Sequence, residues 1–168
     1  MVGVLLRPAV VDDAEAIRRI YNGEVTTATS TFDLVPRSRE EQARWIADRS
    51  GAFSAIVAID DGLDGLPVIG FGSLSPYKDR AAYSTTVEDS VYVDRQRAGR
   101  GVGTVLLTRL VEIASASGFH SVMARIEASG TSSRALHAKC GFELVGIERQ
   151  VGRKFNRWLD VAVMQRLL

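Results

Sequence analysis

Gly99, Gly101 and Gly103 stand at alternate positions between an apolar run and an amphipathic stretch. Val87, Val91 and Val93, with Tyr92, read as a strand. Val102, Val105, Leu106, Leu110 and Ile113 recur at helical spacing, so the glycines mark a helix start. The first turn of a helix has free N–H groups and the positive end of the dipole, which together hold a phosphate. Glycine removes the Cβ atoms that would keep a pyrophosphate from the backbone, and Arg100 adds a fixed positive charge. A Walker loop requires Lys-Ser or Lys-Thr after its last glycine, and Val102-Gly103-Thr104 lacks the lysine. A dinucleotide fingerprint beginning at Gly101 requires a small residue where Leu106 stands. From spacing alone, an anion-binding turn and a turn without a ligand both remain open.

The elements that must carry this turn follow from periodicity. Val2 to Leu6 reads as a first strand. Asp12 with Glu15 resembles a capping box, opening a helix with Ala16, Ile17, Ile20 and Val25 on one face. Thr26 to Thr31 reads as a loop. Ser38 with Glu41 is a second capping box, and its helix runs through Trp45 and Ile46 to a stop at Gly51. Phe53 to Ile59 and Pro67 to Ser73 form a hairpin around the turn at residues 60–65, and 75–84 is irregular. After the central strand and the glycine-started helix, His120 to Ile126 reads as a buried strand. Ser132 to Lys139 makes a short helix, and Phe142 to Val151 and Trp158 to Leu167 are closing strands. The order β-α-α-β-β-β-α-β-α-β-β implies an α/β domain with a mixed sheet.

Bulk properties narrow the class. A chain of 168 residues suits one domain with a sizeable core. A net charge of +1 with scattered basic residues gives no case for nucleic acid. The apolar runs fall far short of the ~20 residues a membrane helix needs. Residues 1–8 lack the basic start and apolar stretch of a signal peptide. The lone Cys140 excludes an internal disulfide and fits a reducing compartment, so a cytoplasmic location is expected. No His, Cys and carboxylate cluster has metal-ligand spacing, and no metal is expected.

The segment Ala98-Gly99-Arg100-Gly101-Val102-Gly103 resembles the pyrophosphate loop of the GCN5-related N-acetyltransferases, the GNAT superfamily, which bind acetyl-CoA. Alanine stands where glutamine or arginine is usual. Downstream, Gly130-Thr-Ser-Ser133-Arg-Ala-Leu-His137-Ala-Lys-Cys-Gly141-Phe142 resembles that superfamily's Asn-x-x-Ser-x-x-Leu-His/Tyr-x-x-x-Gly-Phe, with glycine in place of asparagine. The string Thr86-Val-Glu88-Asp-Ser90-Val-Tyr-Val93 is similar to one in phosphinothricin and methionine sulfoximine N-acetyltransferases. So are Ile20-Tyr21-Asn22 leading to Ser30-Thr31-Phe32-Asp33, the segment Pro76-Tyr77-Lys78-Asp79-Arg80 to Tyr83, and residues 150–161. The resemblance implies a GNAT fold over residues 1–168, a mostly antiparallel sheet of about seven strands with a splayed central pair, and about four helices.

It also implies roles. Main-chain amides of Val91, Tyr92 and Val93 hold the acetyl and pantetheine groups. The turn at Gly99, Arg100, Gly101, Val102, Gly103 and Thr104 holds the pyrophosphate, and Gly130 and Ser133 border the coenzyme. Glu88 draws the proton from an incoming ammonium; the alternative is a solvated glutamate at a strand start. His137 protonates the departing thiolate, or is a helix histidine satisfied at a helix–sheet junction. Thr31, Phe32, Lys78, Asp79, Arg80, Asp89 and Ser90 border the substrate, with Lys78 and Arg80 as partners for its carboxylate. Lys154, Phe155 and Trp158 lie near the same pocket. The expected activity is acetylation of the α-amine of a small amino acid or analogue, by direct transfer in a homodimer. Acetylation of a different amine, or acyl-CoA sensing without catalysis, stays open at this point.

Overall fold

The structure, a computed structural model, describes residues 3–62, 64–65 and 67–168. Its strands are β1 (Val4–Pro8), β2 (Ile56–Asp60), β3 (Val68–Pro76), β4 (Thr86–Val93), β5 (Ser121–Glu127), β6 (Glu143–Lys154) and β7 (Arg157–Leu167). Its helices are α1 (Ala14–Thr27), α2 (Arg39–Ala47), α3 (Val102–Ala116) and α4 (Thr131–Lys139). The strands form one seven-stranded sheet in the order β1-β2-β3-β4-β5-β7-β6. Every pairing is antiparallel except that of β4 with β5. No helix among the described residues is long and apolar enough to cross a membrane.

Strand alternation divides the core in two. On β2, Ile56 and Ala58 join α3 residues Val102, Leu106, Leu107 and Leu110 on one face, while Val57 and Ile59 join Ile17, Ile20, Tyr21 and Ile46 on the other. All five β2 residues are buried because helices cover both faces. Each fully buried leucine of α3 contributes about 1.5–3 kcal/mol of apolar transfer. Gly70 and Gly72 let α3 lie close: a Cβ at either would stand 3.0–3.1 Å from Leu106 or Leu110.

The sheet opens at its centre. β3 follows β4 from Pro76↔Val87 to Gly70↔Val93, and β7 follows β5 along its length. β4 and β5 meet only from Thr86↔Ser121 to Glu88↔Met123, and beyond that point they part.

Several expectations need correction. The first strand is Val4–Pro8; Val2 lies outside the described residues. Asp12 and Glu15 do not cap α1: buried Asp13 accepts from the Val10 N–H and bidentately from Arg7, while Glu15 pairs with Arg18 and Arg39. The helix also runs through Thr26 and Thr27, whose hydroxyls donate back to the carbonyls of Asn22 and Gly23. The Ser38–Glu41 box is present, at 3.1 and 2.7 Å, but its helix stops at Ala47. Gly51–Phe53 forms a 3-10 turn instead of a strand start, which delays β2 to Ile56. β3 runs on to Pro76 because β4 pairs with it that far. Val105, placed on the packed helix face by periodicity, is exposed, and Leu107 and Val111 are buried instead.

Candidate active site

The opening is bounded by main-chain groups without a strand partner. Asp94 donates its N–H to the Ile69 carbonyl at 2.9 Å, in register with the β3–β4 ladder. Antiparallel alternation then turns the N–H groups of Glu88, Ser90 and Tyr92 to β3, and those of Asp89, Val91 and Val93 toward β5. Past Glu88 no β5 residue pairs with them. The Tyr92 amide, expected beside the other two, is therefore committed to the sheet.

A cleft of about 630 Å³ fills the opening, within the usual range for small-molecule sites. Alternation gives it two different walls. Asp89, Val91, Val93, Ala124 and Ile126 face the α3–α4 side, where Gly130, Ser133 and His137 complete the wall. Glu88, Ser90, Tyr92, Arg125 and Glu127 face the α1–α2 side, closed by Glu24 and the loop Thr29–Phe32. That loop is fastened from three elements. Tyr21 Oη lies 2.9 Å from Thr31 Oγ1 and donates to Asp33 at 2.6 Å, while buried Lys154 donates to the Thr31 carbonyl at 2.8 Å. Thr29 donates to the Glu127 carboxylate at 3.0 Å.

The glycine turn adjoins the first wall. Gly99 and Gly101 have φ of +76° and +84°, a region that costs other residues about 1–2 kcal/mol. Gly101 caps α3, whose first main-chain bond runs from Val105 N to Gly101 O at 3.1 Å. The N–H groups of Val102, Gly103 and Thr104 precede that ladder and point out of the helix start. A Cβ at Gly103 would stand 3.0 Å from Leu136 of α4 and 3.8 Å from Val93, so turn and cleft are neighbours. Arg100 is exposed beside it. At Gly130 a Cβ would stand 3.0 Å from the Glu127 carbonyl, which suits glycine to this tight strand-to-helix turn.

Glu88 is half-buried, and among the described residues its carboxylate has no hydrogen-bond donor. Burial pushes its pKa up; Arg125 opposes that, and the charges of Asp89 and Glu148 add to it. Arg125 bonds Glu148 of β6 through both terminal nitrogens, at 3.0 and 2.5 Å. His137 and Asp89 form a buried pair, Nε2 to Oδ2 at 3.1 Å, while Nδ1 lies 2.7 Å from the Ser133 carbonyl. A carbonyl only accepts, so Nδ1 carries a proton, and a second proton must sit between Nε2 and Oδ2. Burial draws the imidazole pKa down, but the Asp89 hydrogen bond and charge, with the Ser133 carbonyl, outweigh it and leave it raised.

Thr31, Phe32, Glu88, Asp89, Ser90, Val91, Tyr92, Val93, Gly130, Ser133 and His137 thus meet in one cleft. Lys78, Asp79 and Arg80 do not: they are exposed on the loop after β3 and line no part of it. Phe155 and Trp158 are also exposed. Sequence reasoning missed Glu24, Arg125 and Glu127. The signal for the last two was present, since alternate charges on an otherwise apolar strand face a common side.

A sheet opened between parallel central strands, with a glycine-started helix on one side and a free carboxylate on the other, is the frame of an acyltransferase. The chain belongs to the GNAT family: the family described as "Acetyltransferase (GNAT) domain" matches residues 6–163. Its relatives include a phosphinothricin N-acetyltransferase of Streptomyces coelicolor, 36% identical over 98% of this chain and 96% of the other. An L-methionine sulfoximine/L-methionine sulfone acetyltransferase of Pseudomonas aeruginosa is 36% identical over 95% of this chain and 92% of its own. The crystal structure of a Sinorhizobium meliloti phosphinothricin acetyltransferase in complex with acetyl-CoA superposes with a TM-score of 0.92, at 38% identity, covering 100% of this chain and 89% of that one.

Proposed function

We propose that this chain is a single-domain, cytoplasmic, acetyl-CoA-dependent N-acetyltransferase acting on the α-amine of a small amino acid or analogue. The acceptor is of the phosphinothricin, methionine sulfoximine or methionine sulfone type, and the chain works as a homodimer. The observation that carries the reading is the two-walled cleft, with outward amides at Val91 and Val93 and a donor-free Glu88 across from them. The residues fit the coenzyme, because the amides of Val102, Gly103 and Thr104 suit a pyrophosphate and the cleft leads from them to Glu88. When bound, acetyl-CoA supplies an acyl carbon activated as a thioester.

The chain's own residues do the rest. Val91 and Val93 amides stabilise negative charge at the acyl oxygen. Glu88, whose pKa burial raises, takes a proton from the acceptor ammonium directly or through water. His137 holds a proton on the coenzyme wall for the thiolate. Cys140 is buried in the core away from the cleft, which favours direct transfer over a thioester on the enzyme. The relatives' names support the acceptor class.

The test is thiol release from acetyl-CoA over a panel of amino acids and analogues. Glu88→Gln is expected to lower turnover by about 100- to 10,000-fold and to leave coenzyme affinity by calorimetry unchanged. An unaltered rate removes Glu88 from the reaction, and no coenzyme uptake by folded protein defeats the reading altogether.

A further inference from the structure

Among the described residues lining the cleft, Arg125 alone carries a permanent positive charge. It stands on the same face as Glu88, one strand over, and the two side chains feel each other's charge. Glu148 occupies only its two terminal nitrogens, so the remaining N–H groups of the five-donor fork stay free for a second acceptor. The wall therefore offers an anion beside a cation. An α-amino acid presents the converse, an ammonium and a carboxylate on one carbon.

The rest of the wall limits what else fits. Glu24 and Glu127 also line the cleft, Glu24 paired at 2.7 Å with Arg95, which is not among the lining residues. His137 is on the opposite wall and bound to Asp89. Lys154 is buried on the Thr31 carbonyl and lines no part of the cleft. Lys78 and Arg80, the expected carboxylate partners, lie outside it.

We propose that Arg125 is the specificity-determining residue for the acceptor: it anchors one α-carboxylate, and the described residues lining the cleft include no second permanent cation for a second anion. Resting on the acetyltransferase reading above, this narrows the acceptor class to zwitterionic amino acids with neutral, polar side chains such as a sulfone or sulfoximine. A phosphinate-bearing amino acid carries one anionic group too many.

The test compares wild type, Arg125→Gln and Arg125→Lys on methionine sulfone, its decarboxylated amine and phosphinothricin. Thiol release gives kcat and KM, and calorimetry gives acceptor affinity with coenzyme A present. A charge-assisted pair predicts that wild type prefers methionine sulfone over the decarboxylated amine by about 10- to 100-fold in kcat/KM. In Arg125→Gln that preference collapses through the acceptor KM, whatever the change in kcat common to both acceptors, and Arg125→Lys recovers part of it. Phosphinothricin is used at least ~10-fold less well than methionine sulfone by wild type, the lower end of the same range. An unchanged preference in Arg125→Gln, or phosphinothricin used as well as methionine sulfone, overturns the proposal. Calorimetry reads the anchor without turnover, so a failure of acetyl transfer and a failure of Arg125 give different results.

Discussion

Glu88 and His137 face each other across one cleft, and each is set by a different balance of forces. For Glu88 burial dominates, and the nearby charges of Asp89 on its own strand and Glu148 on β6 add to it, with Arg125 on β5 opposing. The acid limb of kcat/KM is therefore expected above the ordinary glutamate value of about 4.3. A limb at or below that value in initial-rate measurements contradicts Glu88 as base. His137 differs, because its ion-pair partner outweighs burial and its pKa is raised on folding. A raised folded pKa gives stability that is complete below the unfolded value of about 6.5 and is lost as pH climbs through the folded value. Denaturant unfolding should thus show wild type exceeding His137→Gln most at acidic pH, with the gap closing toward alkaline pH. A gap that widens as pH rises contradicts the charged pair. Both residues were legible in the sequence as positions. Asp89 as the partner of His137 was not, because a strand residue and a helix residue 48 apart share no local pattern.

At the level of elements, periodicity sufficed wherever local chemistry agreed with packing. The glycine-started helix and the Ser38 cap are such cases, as is the succession of strands and helices along the chain. It failed where a side chain had two possible partners. Asp13 rather than Asp12 organises the start of α1 because Arg7 reaches it from β1, a tertiary choice that the spacing of acids cannot reveal. Lys78 and Arg80, expected to partner the substrate carboxylate, are near the cleft's strand in sequence, but the loop carries them outward, where Lys78 lies over Tyr77 and Tyr83. The glycine turn makes a direct prediction. Gly101→Ala forces a φ of +84° on a residue with a Cβ, so unfolding free energy should fall by about 1–2 kcal/mol. Coenzyme affinity should weaken by up to ~10-fold as the helix start re-forms. Equal affinity by calorimetry, with the stability loss present, would separate the turn's shape from coenzyme binding.

Across the whole molecule the two edges of the sheet are treated differently. β1 is short, but β6 is a long edge strand that leaves Leu144, Val145, Ile147 and Val151 exposed, and Trp158 beside it is 61% exposed. An open apolar edge of this kind invites pairing with another chain. A second copy satisfies it most simply, since a two-fold axis sets the same patch against itself. The site has a stake in that contact: Lys154 at the end of β6 fastens the Thr31 loop, and Glu148 midway along it holds Arg125. Wild type is accordingly expected to sediment at twice 18.3 kDa. The double variant Val145→Glu and Ile147→Glu should sediment as a monomer, because two carboxylates per copy would have to be buried without partners. Its acceptor KM should rise as the β6 anchors loosen, while coenzyme binding on the opposite wall changes little. A wild type that sediments at 18.3 kDa at assay concentration rules out the dimer, and the apolar edge would then need another partner.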